Sequence, residues 1–342
     1  MKDYQIKYYK YFKYIEAEWN DLLNNSDLSY FCSPEWHKLV LSFLQKTTLT
    51  KRLFKIQYFT VHSRNSELML LGFFYINRFG KEKMIQFSHI LGPSDYYDFV
   101  YNDKLDCSCI KEIINEIEKE YRADRVSFSM LKEDSVVTKS YLNSNLTSVR
   151  ELPAVAISLP EEYDIYLKSL SKSVRQNIRT AYNRSKRDNL EIRFSVFTKR
   201  DTNKINFKAL RDLYVVRNAF RKDGQNWKSK VYHKINNLFS GEIDMFDLEE
   251  IKETDFTLGI LYLNQNIASY FFGFEKNGKI EINRVVLNPE YKFYSPGMIL
   301  LNEYIKKGIE NGLKVVDLTN GDEKYKFDLG GQLHRVYNFN LN

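Results

Sequence analysis

Residues 294–312 read YSPGMILLNEYIKKGIENG, a segment in which both ends of a helix are marked. Ser295 suits the N-cap and Pro296 the first helical position, where a missing N–H is no loss. Gly312 suits the left-handed stop. Gly297 is the odd residue, because glycine within a helix costs about 1 kcal/mol relative to alanine. A glycine in the first turn lets a ligand approach the bare N–H groups of the helix start, and that ligand is often a phosphate. A merely tight helix entry would use the same residues.

Upstream lie strand-like runs at about 256–263, 267–275 and 279–287, joined by the hairpin turns NQN and KNGK. Downstream, LKVVDL reads as a strand, GDEKYKFDLG as a short segment and HRVYNFNL as a terminal strand. Helices are expected at about 161–170, 173–188, 204–222 and 227–239, with a further strand at about 243–250. The N-terminal half follows a similar order. A helix near Glu16 to Asn25 precedes CSPEWHKLVLSFL, with Ser33 as cap and Pro34 at the first helical position. The runs RLFKIQYFTVHS, ELMLLGFFYINRF and KMIQFSHIL read as strands, with SRNSE as a turn. CIKEIINEIEKEYR then places Ile110, Ile113, Ile114 and Ile117 on one helix face, before the strand ADRVSFSML. Each half is therefore a meander, a helix and a strand. The fold class expected is α/β, with two units of mixed, mostly antiparallel sheet flanked by helices, covering 1–150 and 151–342.

The 342 residues are 43% hydrophobic and 28% charged, as in a soluble globular protein. No apolar run approaches the roughly 20 residues of a membrane span, and the N-terminus has no signal-peptide h-region; a cytoplasmic protein is expected. Three cysteines, Cys32, Cys107 and Cys109, lack zinc spacing and read as reduced thiols. The five histidines show no metal pattern either, so no metal is expected. A net charge of +7 favours acidic partners such as nucleotides, coenzyme A or RNA, and does not by itself indicate DNA.

Four segments carry a family resemblance: YFCSPEWHKLV (30–40), LGPSDYYDFVY (91–101), LSKSVRQNIRTAYNRSKRD (170–188) and the C-terminal run from Gly278 to Gly331. Taken in order they resemble the CelD/BcsL-type acetyltransferases of the GNAT superfamily, relatives of the Fem aminoacyltransferases. The resemblance spans nearly the whole chain. It implies two tandem GNAT-like units facing each other across a cleft, the first on the acceptor side and the second on the acyl-donor side. It implies acetyl-CoA, or another acyl-CoA, as co-substrate. It places that donor beside Val285, Val286 and Leu287, with its pyrophosphate over Lys292, Ser295, Gly297 and Met298. Within that loop Gly297 is the lone glycine and Lys292 the nearest basic residue.

In the 173–188 helix, Val174, Ile178, Ala181 and Ser185 form an apolar stripe. Arg175 and Arg179 lie four apart on a neighbouring stripe, which suits a pair that binds phosphate or carboxylate. Arg184, Lys186 and Arg187 read as a solvated face. Asp95 and Asp98 in DYYD would hold an acceptor's hydroxyls or amine, or act as base; turn chemistry accounts for the same residues. Asp317, beside apolar strand residues, demands a partner, and Tyr325 and Lys326 are the companions that the resemblance supplies. Tyr325 would protonate the leaving thiolate, and Lys326 would face the donor or an anionic acceptor; a structural Asp–Lys pair holding the last helix accounts for the same residues. His89, just before LGPSDYYD, is the histidine that would stand at the cleft, and a satisfied strand histidine is the more frequent reading of it. Direct transfer to an amine follows, with Asp95, Asp98 and Asp317 as candidate bases. The acceptor that the resemblance suggests is an amino sugar of a cell-envelope or polysaccharide precursor, and a monomer suffices. A Fem-type enzyme using aminoacyl-tRNA, and a non-catalytic binding protein of the same fold, are the competing readings.

Overall fold

The structure, a computed structural model, describes residues 4–24, 26–46, 55–79, 82–89, 94–102, 105–141, 148–222 and 249–341. The helix expected at 227–239 and all but the end of the strand expected at 243–250 lie outside these residues; Glu249–Glu253 form a 3-10 turn. The chain divides into two compact units, Met1–Pro153 with Arg335–Asn342, and Ala154–His334. The single boundary expected near residue 150 leaves the last strand with the second half, whereas residues 335–342 group with the first unit.

The first unit contains β1 (Tyr4–Tyr9), α1 (Glu16–Asn24), α2 (Pro34–Lys46), β2 (Lys55–Ser63), β3 (Leu68–Phe79), β4 (Glu82–Phe87), β5 (Val100–Tyr101), α3 (Cys109–Tyr121), β6 (Arg125–Lys132) and α4 (Val136–Tyr141). β7 (Ser148–Ser158) leads into the second unit. There follow α5 (Tyr163–Ser169), α6 (Lys172–Arg187), β8 (Ile192–Thr198), α7 (Phe207–Lys222), β9 (Phe256–Leu263), β10 (Asn266–Lys276), β11 (Lys279–Leu287), α8 (Pro296–Glu310), β12 (Val315–Asn320), α9 (Lys324–Asp328) and β13 (Gln332–Leu341). Strand order is β1-β2-β3-β4-β6-β13 in the first unit, with β5 on β3, and β7-β12-β11-β10-β9-β8 in the second. Both units are antiparallel apart from one parallel pair each, β4 with β6 and β11 with β12.

Local chemistry accounts for the elements. Ser33 accepts the Trp36 N–H at 3.1 Å and caps α2 as its position suggests. Asn277 and Gly278 both have positive φ, 51° and 71°, the conformation a two-residue hairpin needs between β10 and β11. β1 and β8 are the outermost strands of their units. With one paired edge and half-exposed side chains, they carry too weak an alternation to be read from sequence. α4, only one and a half turns long, was equally silent in the pattern.

In the second unit α8 packs on β9, β10, β11, α5 and α6. It buries Ile299, Leu300, Leu301, Tyr304, Ile305 and Ile309 in a core shared with Val174, Ile178 and Ala181 of α6. Each such side chain stabilises the fold by about 1.5–3 kcal/mol. Ile305→Ala should therefore destabilise the second unit by about 2–5 kcal/mol. A denaturant titration checks this; a midpoint unchanged from the parent would place α8 outside the core.

Candidate active site

β11 and β12 pair over a short length only: Lys279 with Val315, Ile280 with Val316 and Glu281 with Asp317. β11 continues to Leu287 and β12 to Asn320 without further rungs between them. Two local features part them. Thr319 has φ 53°, and its hydroxyl donates to the Ile282 carbonyl at 3.1 Å, so a side chain stands where the ladder stops. On the other edge of β11 the register with β10 shifts, leaving Asn283 as a bulge. At Gly273, opposite the bulge, a Cβ would lie 2.7 Å from the Glu281 carbonyl oxygen, so glycine lets the strands close there.

A cavity of about 510 Å³ lies beside the unpaired end of β11. Val285 and Leu287 line it from β11, Ser295, Gly297, Met298 and Leu301 from the start of α8, and Tyr325 and Leu329 from α9 and its end. Lys292 and Arg217 bring cations, and Glu323 one carboxylate. Val285, Leu287, Lys292, Ser295, Gly297, Met298 and Tyr325 are thus brought together. Val286 is not with them, because it alternates to the opposite sheet face and is fully buried.

Ser295 departs from its expected role. It adopts φ 51° and ψ 52°, and its side chain makes no capping bond. Its carbonyl instead accepts the N–H groups of Met298 at 3.0 Å and Ile299 at 3.3 Å. Pro296 has no N–H, and a first helical turn offers the N–H of Gly297 no carbonyl of its own. A Cβ at Gly297 would meet Leu287 Cδ2 at 2.6 Å. The bare backbone therefore admits a close neighbour, and in this state the neighbour is the half-exposed Leu287 side chain.

The arginines of α6 divide differently from their spacing. Arg175 donates to the carbonyls of Lys168 at 3.1 Å and Leu170 at 2.5 Å, closing the end of α5. Arg179 is exposed and does not share that contact. Arg184, expected in solvent, donates to the Phe293 carbonyl at 2.9 Å and sits 4.5 Å from that ring's centroid. Together with the 3.0 Å bond from Tyr294 to Asp188, it fastens the 289–294 segment that precedes α8.

Asp317 is buried at 1% exposure on the sheet face opposite Val316 and Leu318, which belong to the α8 core. Its partners are the Lys279 ammonium at 3.1 Å, the Thr319 N–H at 2.8 Å and His334 at 3.7 Å. The expected Lys326 is not among them. Lys279 also holds the buried Glu281 at 3.1 Å, and these two carboxylates push its ammonium to a pKa above the ordinary range despite burial. Glu281 escaped the sequence reading because it lies in an apolar strand with no motif around it. Lys326 is buried and donates to the carbonyls of Thr319, Asn320 and Gly321 at 3.3, 2.7 and 3.1 Å, pinning the turn after β12. It also pairs with Glu323.

The remaining candidates belong to the first unit. There the parallel pairing of β4 with β6 runs to Phe87 and Phe128. Beyond it the DYYD segment enters: Tyr97 bridges Leu131, and its N–H donates to Met130 at 2.8 Å. Tyr96, Tyr97 and Phe99 are buried. Asp98 accepts the N–H groups of Phe99 at 2.9 Å and Val136 at 3.3 Å, the second at the start of α4. Burial pushes its carboxyl up to about 7, against hydrogen bonds that lower it. Asp98 also lines a pocket of about 240 Å³ with Ser26, Tyr101 and Lys132, and Asp95 is half-buried nearby in sequence. His89 donates to the Phe31 carbonyl at 3.1 Å within an aromatic box that includes Phe73, Tyr97 and His37. Burial draws its pKa down to about 4. Among the described residues no cluster of three or more His, Cys, Asp or Glu could hold a metal, and no helix is long and apolar enough to cross a membrane.

Residues 172–327, from α6 to α9, match the family model described as an acetyltransferase (GNAT) domain. Comparison with curated proteins finds no match. Among solved structures, FemX is similar over 98% of this chain and 96% of its own, with a TM-score of 0.61 and 10% identity. A conserved protein of unknown function from Bacteroides thetaiotaomicron covers 99% of this chain and 100% of its own, at TM-score 0.58 and 13% identity. The C-terminal domain of a lysylphosphatidylglycerol synthetase homologue from Agrobacterium fabrum covers 96% and 92%, at 0.55 and 10%. At such identities the likeness is one of fold, and the fold is GNAT-like.

The buried His89 yields a pH prediction. Its folded pKa lies below the unfolded value of about 6.5, so the unfolded chain binds the proton first as pH falls. Its contribution is complete above about 6.5 and is lost towards about 4. Asp98, shifted upward, gives the opposite slope. The stability advantage of the parent over His89→Gln should therefore shrink as pH falls through that window. Unfolding curves at several pH values measure it; a constant difference would contradict the burial of a neutral imidazole.

Proposed function

We propose that the second unit binds an acyl-coenzyme A and passes its acyl group to an amine. The observation that carries this reading is the parting of β11 from β12 beside a cavity with Gly297 at a helix start and Lys292 and Arg217 around it. A helix N-terminus with an unoccupied N–H and nearby cations suits a pyrophosphate. The apolar stretch of Val285, Met298, Leu301 and Leu329 suits the pantetheine arm. Leu287 would have to swing away from Gly297 as the phosphates arrive.

In this reading the amine nitrogen attacks the thioester carbonyl, and the resulting oxyanion is held by N–H groups on the unpaired edge of β11. The C–S bond then breaks. Tyr325, which lines the cavity, gives its phenolic proton to the departing thiolate. Glu281 and Asp317 stand where the strands part and are the carboxylates assigned to removing the amine proton. Holding the two substrates in line supplies much of the acceleration. The acceptor proposed is an amino sugar of an envelope or polysaccharide precursor, as in the CelD/BcsL-type family. Arg175, bound to carbonyls, is withdrawn from phosphate binding, and Arg179 remains available.

Calorimetric titration with acetyl-CoA should show saturable binding. Gly297→Leu, which fills the space at the helix start, should weaken it about tenfold or more, with an unchanged thermal melt. Absence of binding to acetyl-CoA and to free coenzyme A would overturn the donor and favour aminoacyl-tRNA, the donor of Fem-type enzymes. If the donor binds, thiol release with glucosamine as acceptor tests the amino sugar. Tyr325→Phe should then lower kcat about 100-fold and leave donor affinity intact; unaltered kcat would remove Tyr325 as the acid.

A further inference from the structure

The first unit's sheet carries, on the face of Gln86 and Ser127, a groove of about 420 Å³ that the acyl-transfer chemistry does not use. Register sets its floor. Gln86 of β4 stands opposite Ser127 of β6, and Ser127 opposite Asn340 of β13. Asn340 then donates to the Ser148 hydroxyl of β7 at 2.8 Å. Four polar side chains thus form one row across four strands, spanning about 14 Å at about 4.8 Å per strand step. Ser129, Asn338 and Arg150 border the row, and no acidic residue lines the groove. Arg150 is exposed and forms no ion pair with any described residue. On the same sheet face, next to Gln86, Asn77 is only 4% exposed. Its Oδ1 has no hydrogen-bond partner among the described residues, and its amide nitrogen is 3.5 Å from Gln86.

We infer that this groove binds a saccharide chain bearing an acidic group, a uronate or a phosphate. Alternating amides and hydroxyls offer both donors and acceptors, as vicinal hydroxyls require. Arg150 is placed to take a carboxylate or phosphate by two N–H bonds. A nucleic acid fits less well: it needs several cations and exposed rings for stacking. Here Phe128 and Phe339 are each 1% exposed and face the core. Their mutual packing, with centroids 5.1 Å apart, and the stack of Phe87 on Phe128 at 4.8 Å fasten the strands from below, so the row is set before a ligand arrives.

The test is a printed array of neutral, uronate-bearing and phosphate-bearing oligosaccharides, probed with the full chain and no acyl-CoA. Acidic oligosaccharides should be retained. Asn340→Ala and Gln86→Ala should each lower retention about tenfold, and Arg150→Ala should abolish the preference for acidic over neutral chains. No retained glycan, or retention unchanged in the folded Asn340→Ala and Gln86→Ala variants, overturns the inference. Because no donor is present, that outcome leaves the acyl-CoA reading standing, and a failure of donor binding leaves the groove standing.

Discussion

Three rungs of parallel pairing between β11 and β12, ending at Glu281 and Asp317, are the constraint on which the candidate site depends. A longer ladder would close the space into which Val285 and Leu287 look. The ladder stops because Thr319 turns left-handed and spends its hydroxyl on the Ile282 carbonyl. The bulge at Asn283, which Gly273 makes room for, turns β11 on its other edge. Lys279 holds the two buried carboxylates at the last rung, and Lys326 holds the turn beyond β12 by three carbonyls. Burial of unpaired charge would be costly at both places. These ammonium groups are better understood as fixing the geometry of the parting than as contacts for a ligand.

The first unit shows what happens when the same arrangement is filled. β4 and β6 are parallel, as β11 and β12 are, and are joined through a helix, α3, in the same way. Where their pairing ends, Tyr97 enters and binds the edge of β6, and Tyr96 and Phe99 close the space with apolar surface. Among the described residues none comparable enters between β11 and β12, where the shorter 288–295 connection is pinned to α6 through Arg184 and Tyr294. One architecture therefore gives a plugged sheet in one unit and an accessible strand edge in the other. The difference lies in the length and chemistry of one connection.

Much of this was legible in the chain. The meander, helix and strand order, the Ser33 cap, the hairpin at Asn277 and Gly278, and the buried stripe of α6 follow from local patterns. Half of the residues that line the cavity were named from the sequence, and all of those but Tyr325 fall between Val285 and Met298. The pairings of Asp317 with Lys279 and of Arg175 with the end of α5 were not. The first joins residues far apart in sequence, and the second uses backbone carbonyls that leave no trace in residue types. Ser295 misled because Ser-Pro before a helix reads as a cap whether or not the serine turns left-handed. The face occupied by Asp317 depends on register, and Glu281 became visible only once that register paired it with Asp317.

The most direct test of the account is hydrogen–deuterium exchange of the full chain with and without coenzyme A, read at the amides of residues 282–287 and 297–299. Binding along the parted edge and over the helix start predicts slowed exchange at both segments, with the DYYD segment of the first unit unaffected. Slowed exchange elsewhere, or none in either segment at saturating coenzyme A, would contradict the assignment of this cavity to an acyl donor.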